Sequence, residues 1–118
     1  MDAEEQFRSV VEALLRDPKI TVSKMFGAPG LKIGGKYFAM FYKGKLVVKL
    51  PNERVAALVA SRDGEFFDPG HGRMMKEWLS VGPQARVQWL GLVKEARDFV
   101  AAGAGDAGRK KAPGRKRK

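Results

Sequence analysis

Between Met25 and Leu50, MFGAPGLKIGGKYFAMFYKGKLVVKL, two dipeptides, Gly34-Gly35 and Lys43-Gly44, separate runs rich in Val, Ile, Leu, Phe and Tyr. Two-residue hairpin loops need positive φ at their centre, which glycine adopts without steric cost, whereas β-branched and aromatic residues suit a pleated strand. The spacing therefore predicts three short strands in an antiparallel meander. Leu46, Val48 and Leu50 alternate with Lys45, Val47 and Lys49, so the Leu46 face is expected to look into the core. Gly27-Ala28-Pro29-Gly30 reads as a turn or bulge. Pro29, which has no N–H to donate, is expected at an edge or outside the ladder.

The flanking segments change period. Phe7, Val10, Val11, Leu14 and Leu15 fall on one helical stripe, predicting a helix over residues 3 to 16. Asp2 is its candidate cap, Glu4 and Glu5 suit the positive end of the helix dipole, and Asp17-Pro18 stops it. From Ile20 to Phe26 the chain reads as extended. A second helix is expected from Glu53 to about Ser61, with Val55, Leu58 and Val59 inward, Asn52 as cap and Arg62-Asp63-Gly64 as exit. Glu77 to Val81 reads as a strand, with Trp78 expected between sheet and helices beside Leu79 and Val81. Trp89, Leu92, Val93, Ala96, Phe99 and Val100 mark the longest helix, and Pro83 suits its first residue. The expected architecture is α+β: a two-layer domain with a mainly antiparallel five-stranded sheet and three helices, in the order α-β-β-β-α-β-β-α.

A chain of 118 residues accommodates one domain. Its formal charge of +10 is unevenly placed. Residues 1–102 hold 16 Lys plus Arg against 12 Asp plus Glu, a net +4, whereas Arg109, Lys110, Lys111, Arg115, Lys116, Arg117 and Lys118 occur in a stretch with no acid. We therefore divide the chain into a folded domain over 1–102 and a disordered basic tail over 103–118. Such a tail is an electrostatic arm for polyanions. Six more lysines, Lys24, Lys32, Lys36, Lys43, Lys45 and Lys49, occur between Lys19 and Glu53 without an intervening acid. Their favoured reading is protective, since lysines on the wet face and edges of a sheet deter strand-to-strand aggregation.

Catalytic signals are sparse. The only histidine, His71, lies in the glycine-rich stretch FFDPGHGRMMK near Asp68 and Arg73. One imidazole supplies neither a triad nor the three or four ligands of a zinc site, and the absence of cysteine removes thiolate chemistry and disulfides. Pro69, Gly70 and Gly72 read more simply as a loop returning the chain to the sheet. The acidic N-terminus, without a long apolar run, fits neither a secretory signal nor a membrane span, so a cytoplasmic location is expected.

The succession KMFGAPGLKIGGKYFAMFYKGKLVVKL, FFDPGHGRMMKEWLSV and WLGLVKEARDFV resembles the N-terminal domain of the TfoX/Sxy family and, more distantly, the MmcQ/YjbR group. The likeness runs over nearly all of residues 5–101. It departs at Gly72-Arg73-Met74-Met75, where the family usually shows Gly-Arg-Pro-Met, and at Val81-Gly82 in place of Val-Pro. The resemblance implies a regulatory role, since members govern natural competence in some bacteria, and supplies no catalytic residues. Longer members carry a C-terminal helical domain, which the 17 residues after Ala101 are too few and too charged to form.

The functional expectation is a non-enzymatic regulatory module that associates with nucleic acid non-specifically through Arg109, Lys110, Lys111, Arg115, Lys116, Arg117 and Lys118. The alternative is a protein-interaction or dimerisation domain without nucleic-acid binding, docking through the sheet face or the 65–76 loop. No catalytic residue, metal, cofactor, membrane partner or small-molecule substrate is expected.

Overall fold

Asp2 opens the first helix with a reciprocal cap. Its carboxylate accepts from the Glu5 N–H at 2.8 Å, while the Glu5 carboxylate accepts from the Asp2 N–H at 3.1 Å. Two of the donors orphaned at a helix start are thereby satisfied. This helix, α1 (Ala3–Leu14), buries Phe7, Val10 and Leu14 and ends two residues before the expected limit, where the Asp17 N–H turns back to the Leu14 carbonyl. The computed structural model describes residues 2–25, 28–68, 75–85 and 87–103.

Beyond α1 follow β1 (Ile20–Met25), β2 (Ala28–Ile33), β3 (Lys36–Tyr42), β4 (Lys45–Lys49), α2 (Asn52–Ala60), β5 (Glu65–Phe67), β6 (Met75–Val81) and α3 (Trp89–Ala101). Both dipeptide turns are where the spacing puts them. Gly34 and Gly35 have φ of 60° and 80°, and Lys43 and Gly44 have 52° and 80°, the double positive pattern whose twist matches the flanking strands.

Among the described residues the sheet has six strands rather than five, in the order β1-β2-β3-β4-β6-β5, and each neighbouring pair is antiparallel. The additional strand is β1, which pairs with β2 from Ile20↔Ile33 to Met25↔Ala28. Ala28-Pro29-Gly30 looks like a break in the sequence, yet it continues β2. Pro29 therefore lies opposite Lys24 in the β1–β2 ladder but at an edge, the first of the two settings expected for it. The β2–β3 ladder reaches only to Gly30↔Met40, so Pro29 is flanked by one strand alone and its missing N–H interrupts at most one side.

A bulge in β3 shapes the middle of the sheet. Leu31 opposes Ala39 but Lys32 opposes Tyr37, leaving Phe38 as the extra residue. Phe38 and Ala39 consequently both enter the helix-side core, while Tyr37 and Met40 turn to the opposite face.

All three helices lie on the Leu46 side. Leu46, Val48 and Leu50 share one core with Val55 and Leu58 of α2, Leu92, Val93 and Ala96 of α3, and Phe7 and Val10 of α1. Across the top of α1, the Phe7 and Phe41 rings stack with centroids 5.3 Å apart. Helix α2 is tied to α3 by a two-pronged pair, Arg54 Nε to Glu95 Oε1 at 3.0 Å and Nη2 to Oε2 at 3.1 Å. It starts at Asn52, with Pro51 rather than Asn52 at the cap position. Its exit is as expected: Arg62 has φ of 66°, and the Asp63 and Arg62 N–H groups return to the Leu58 and Val59 carbonyls.

Two further expectations are corrected. Helix α3 begins at Trp89, not at Pro83, and the Trp89 indole N–H donates back to the Gly82 carbonyl at 3.0 Å. Trp78 does not sit between sheet and helices. Alternation along β6 sends Leu79 and Val81 to the helices and Trp78 to the other face, where it joins Met40, Val47 and Phe67 in a second apolar cluster.

Candidate functional site

The face turned away from the helices holds the most distinctive grouping of side chains. Its floor is Met40 and Val47, which face each other across β3 and β4 and are fully buried. Tyr37, Tyr42, Phe67 and Trp78 surround them. Tyr42 and Phe67 meet edge to face with centroids 5.4 Å apart.

Lysines are interleaved with these rings. Lys32 Nζ lies 5.3 Å from the Tyr37 centroid, Lys43 Nζ 5.4 Å from Tyr42 and Lys49 Nζ 5.5 Å from Trp78, all within cation–π range. The register explains the arrangement. Lys32 opposes Tyr37 on the β2–β3 ladder, Lys49 opposes Trp78 on the β4–β6 ladder, and Lys49 stands one step beyond the last β3–β4 pair, Ala39↔Val48. The row on this face is thus made of two lysine–aromatic pairs, Lys32 with Tyr37 across β2 and β3 and Lys49 with Trp78 across β4 and β6.

Tyr37 is held down within that row. Its hydroxyl donates to the Lys24 carbonyl on β1 at 2.5 Å, so the ring crosses β2. It can do so because Gly30 lies beneath: a Cβ there would sit 3.0 Å from Tyr37 Cδ1 and Cε1. An aromatic side chain laid over a strand glycine shields backbone that the glycine leaves bare.

Not all six meander lysines share this setting. Lys45 is exposed and reaches Glu65 Oε1 at 3.4 Å, and Lys49 lies 3.7 Å from Glu77 Oε1 as well as over Trp78. Lys24 is exposed on the edge strand, and Lys36 is half-buried at the start of β3. Among the described residues, Lys32 and Lys43 have no carboxylate within ion-pair distance.

On the helix side, an open hollow of about 980 Å³ lies between the β2–β3 turn and the end of α3. Asp17, Lys19, Lys36, Arg97 and Asp98 line it, a mixture of both signs in which Arg97 Nε already contacts Asp98 at 3.0 Å. Among the described residues no group of three or more His, Cys, Asp or Glu is placed to hold a metal ion. No helix among them is long and apolar enough to cross a membrane.

The candidate nucleic-acid contacts Arg109, Lys110, Lys111, Arg115, Lys116, Arg117 and Lys118 lie outside the described residues, as do His71 and Arg73. Asp68, the remaining member of that loop's polar group, is exposed just after β5. The lysine–aromatic row escaped the sequence reading because it is assembled by strand order. Trp78 reaches Lys49 only because β6 inserts beside β4, and Tyr37 reaches Lys32 only because of the bulge at Phe38. Comparison of the chain with family models, curated proteins and solved structures finds no match.

Proposed function

We propose that the protein is a non-enzymatic regulatory module that associates with nucleic acid through its cationic C-terminal segment, in keeping with its resemblance to the TfoX/Sxy N-terminal domain. The observation that carries this reading is the partition of charge. The last ten residues hold seven Lys and Arg and no acid, against a net +4 over residues 1–102. Phosphates neutralised by such a segment release condensed counterions, a gain that depends on charge number and hardly on base sequence.

The test compares the full chain with one ending at Gly108 on labelled duplex DNA at fixed salt. Every residue of the helix-side core lies within residues 7–100, so the shortened chain keeps its packing. A large loss of affinity on shortening supports the reading. Equal affinity removes the tail from the mechanism.

A second reading, a protein-contact domain without nucleic-acid binding, is favoured by a separate observation. Strand β1 is an open edge of six residues carrying Val22 at 49% exposure, and Leu15 at the end of α1 is 43% exposed. Unpaired strand edges recruit other chains. Sedimentation velocity distinguishes the two: reversible self-association lost in Val22→Lys supports the second reading, and a concentration-independent monomer counts against dimerisation.

A further inference from the structure

We propose that the sheet face opposite the helices is a second, independent contact surface for single-stranded nucleic acid, built on the row Lys32, Tyr37, Lys49 and Trp78. The proposal extends the nucleic-acid reading given above to the folded body, and it does not require the tail.

Three features of the row fit that ligand. The first is charge: the meander from Ile20 to Asn52 contains six lysines and no acid, and Lys32 and Lys43 have no carboxylate within ion-pair distance among the described residues. Phosphates are the complementary partner.

The second is preorganisation. Free lysines carry side-chain rotamer freedom that must be surrendered on binding. Here the ammonium groups of Lys32, Lys43 and Lys49 rest over rings, so part of that freedom is lost before a phosphate arrives.

The third is Tyr37, the half-buried ring paired with Lys32. Its hydroxyl is fastened to β1 and the ring lies against Gly30, so it is fixed in place, with Lys32 Nζ 5.3 Å from its centroid. A base can stack on such a ring once Lys32 moves from the ring to a phosphate, the combination of stacking and charge used by sequence-tolerant single-strand binders. Trp78, only 6% exposed, serves as the support for Lys49 and not as a platform. A duplex hides its base faces and gains only the charge contacts, which makes single strands the preferred ligand.

Fluorescence anisotropy of a labelled thymidine dodecamer, and of a duplex of equal length, tests the assignment in the full chain. Lys32→Gln with Lys49→Gln should weaken single-strand binding and lower the log–log salt slope by about 1.4, the value for two phosphate contacts on a single strand. The Lys32→Arg, Lys49→Arg pair should keep the slope. Tyr37→Ala should cost about 5- to 100-fold on the single strand and little on the duplex, the loss of one stacked base, whereas Tyr37→Phe should keep most of the affinity. Should Tyr37→Ala unfold the protein, the lysine pairs still decide. A full chain with its seven tail cations replaced by Gln separates the two sites. Residual binding there that the Lys32 and Lys49 changes abolish supports the sheet surface. Binding lost entirely with the tail charges, or unchanged in both the Gln pair and Tyr37→Ala, overturns it.

Discussion

The Tyr37 hydroxyl donates to the Lys24 carbonyl two strands away, and Gly30 is the residue that lets the ring pass. Strand β3 is thereby tied to edge strand β1 over the top of β2. A Cβ at Gly30 would also lie 3.2 Å from the Ala39 carbonyl oxygen. Gly30→Ala should therefore destabilise by about 1–3 kcal/mol, the usual cost of forcing extra volume into a filled site. Gly82→Ala, where an added Cβ meets nothing within 4 Å, should stay within about 0.5 kcal/mol. Urea unfolding of both variants checks the pair, and an unshifted midpoint for Gly30→Ala would contradict the ring's position.

Met40 is fully buried although it faces away from every helix. Met40→Ala should cost about 2–5 kcal/mol, as for other large-to-small changes in a packed interior. A cost below about 0.5 kcal/mol would mean that this side of the sheet is an ordinary wet face and that the second cluster does not hold in solution. Thermal unfolding followed by circular dichroism is sufficient to tell.

Helix α3 carries Gly91 on its exposed side, with no neighbour within 4 Å of an added Cβ. Gly91→Ala should stabilise by about 0.5–1 kcal/mol, because alanine loses less backbone freedom on entering a helix. Destabilisation in the same unfolding assay would place a contact at Gly91 that the packing of α3 does not contain.

Much of this fold was legible from local chemistry. Gly34-Gly35 and Lys43-Gly44 set the turns, Asp2 with Glu5 set the helix start, and the alternation in β4 identified the core face, since each depends on residues close in sequence. What was missed depends on distant partners. Ile20–Met25 becomes a strand by pairing with β2 from Ile33 back to Ala28, and Trp78 changes side because the faces of β6 are assigned by its neighbours β4 and β5. Pro83 misplaced the start of α3 for a related reason: the indole of Trp89 holds the preceding loop to Gly82, and no local preference encodes that contact. The candidate sheet surface was illegible for the same cause. Lys32, Tyr37, Lys49 and Trp78 are spread over 47 positions of the chain and meet only through strand order and a bulge.

The proposed attraction to nucleic acid is electrostatic and resides chiefly in the terminal cluster of Lys and Arg. Its most direct test is the salt dependence of duplex DNA binding by the full chain and by the chain ending at Gly108. With about 4 to 6 phosphates engaged, the full chain should show a log–log slope of about −4 to −5, and removal of the tail should bring it much closer to zero. A slope near zero for the full chain, or the same slope with and without the tail, would contradict it.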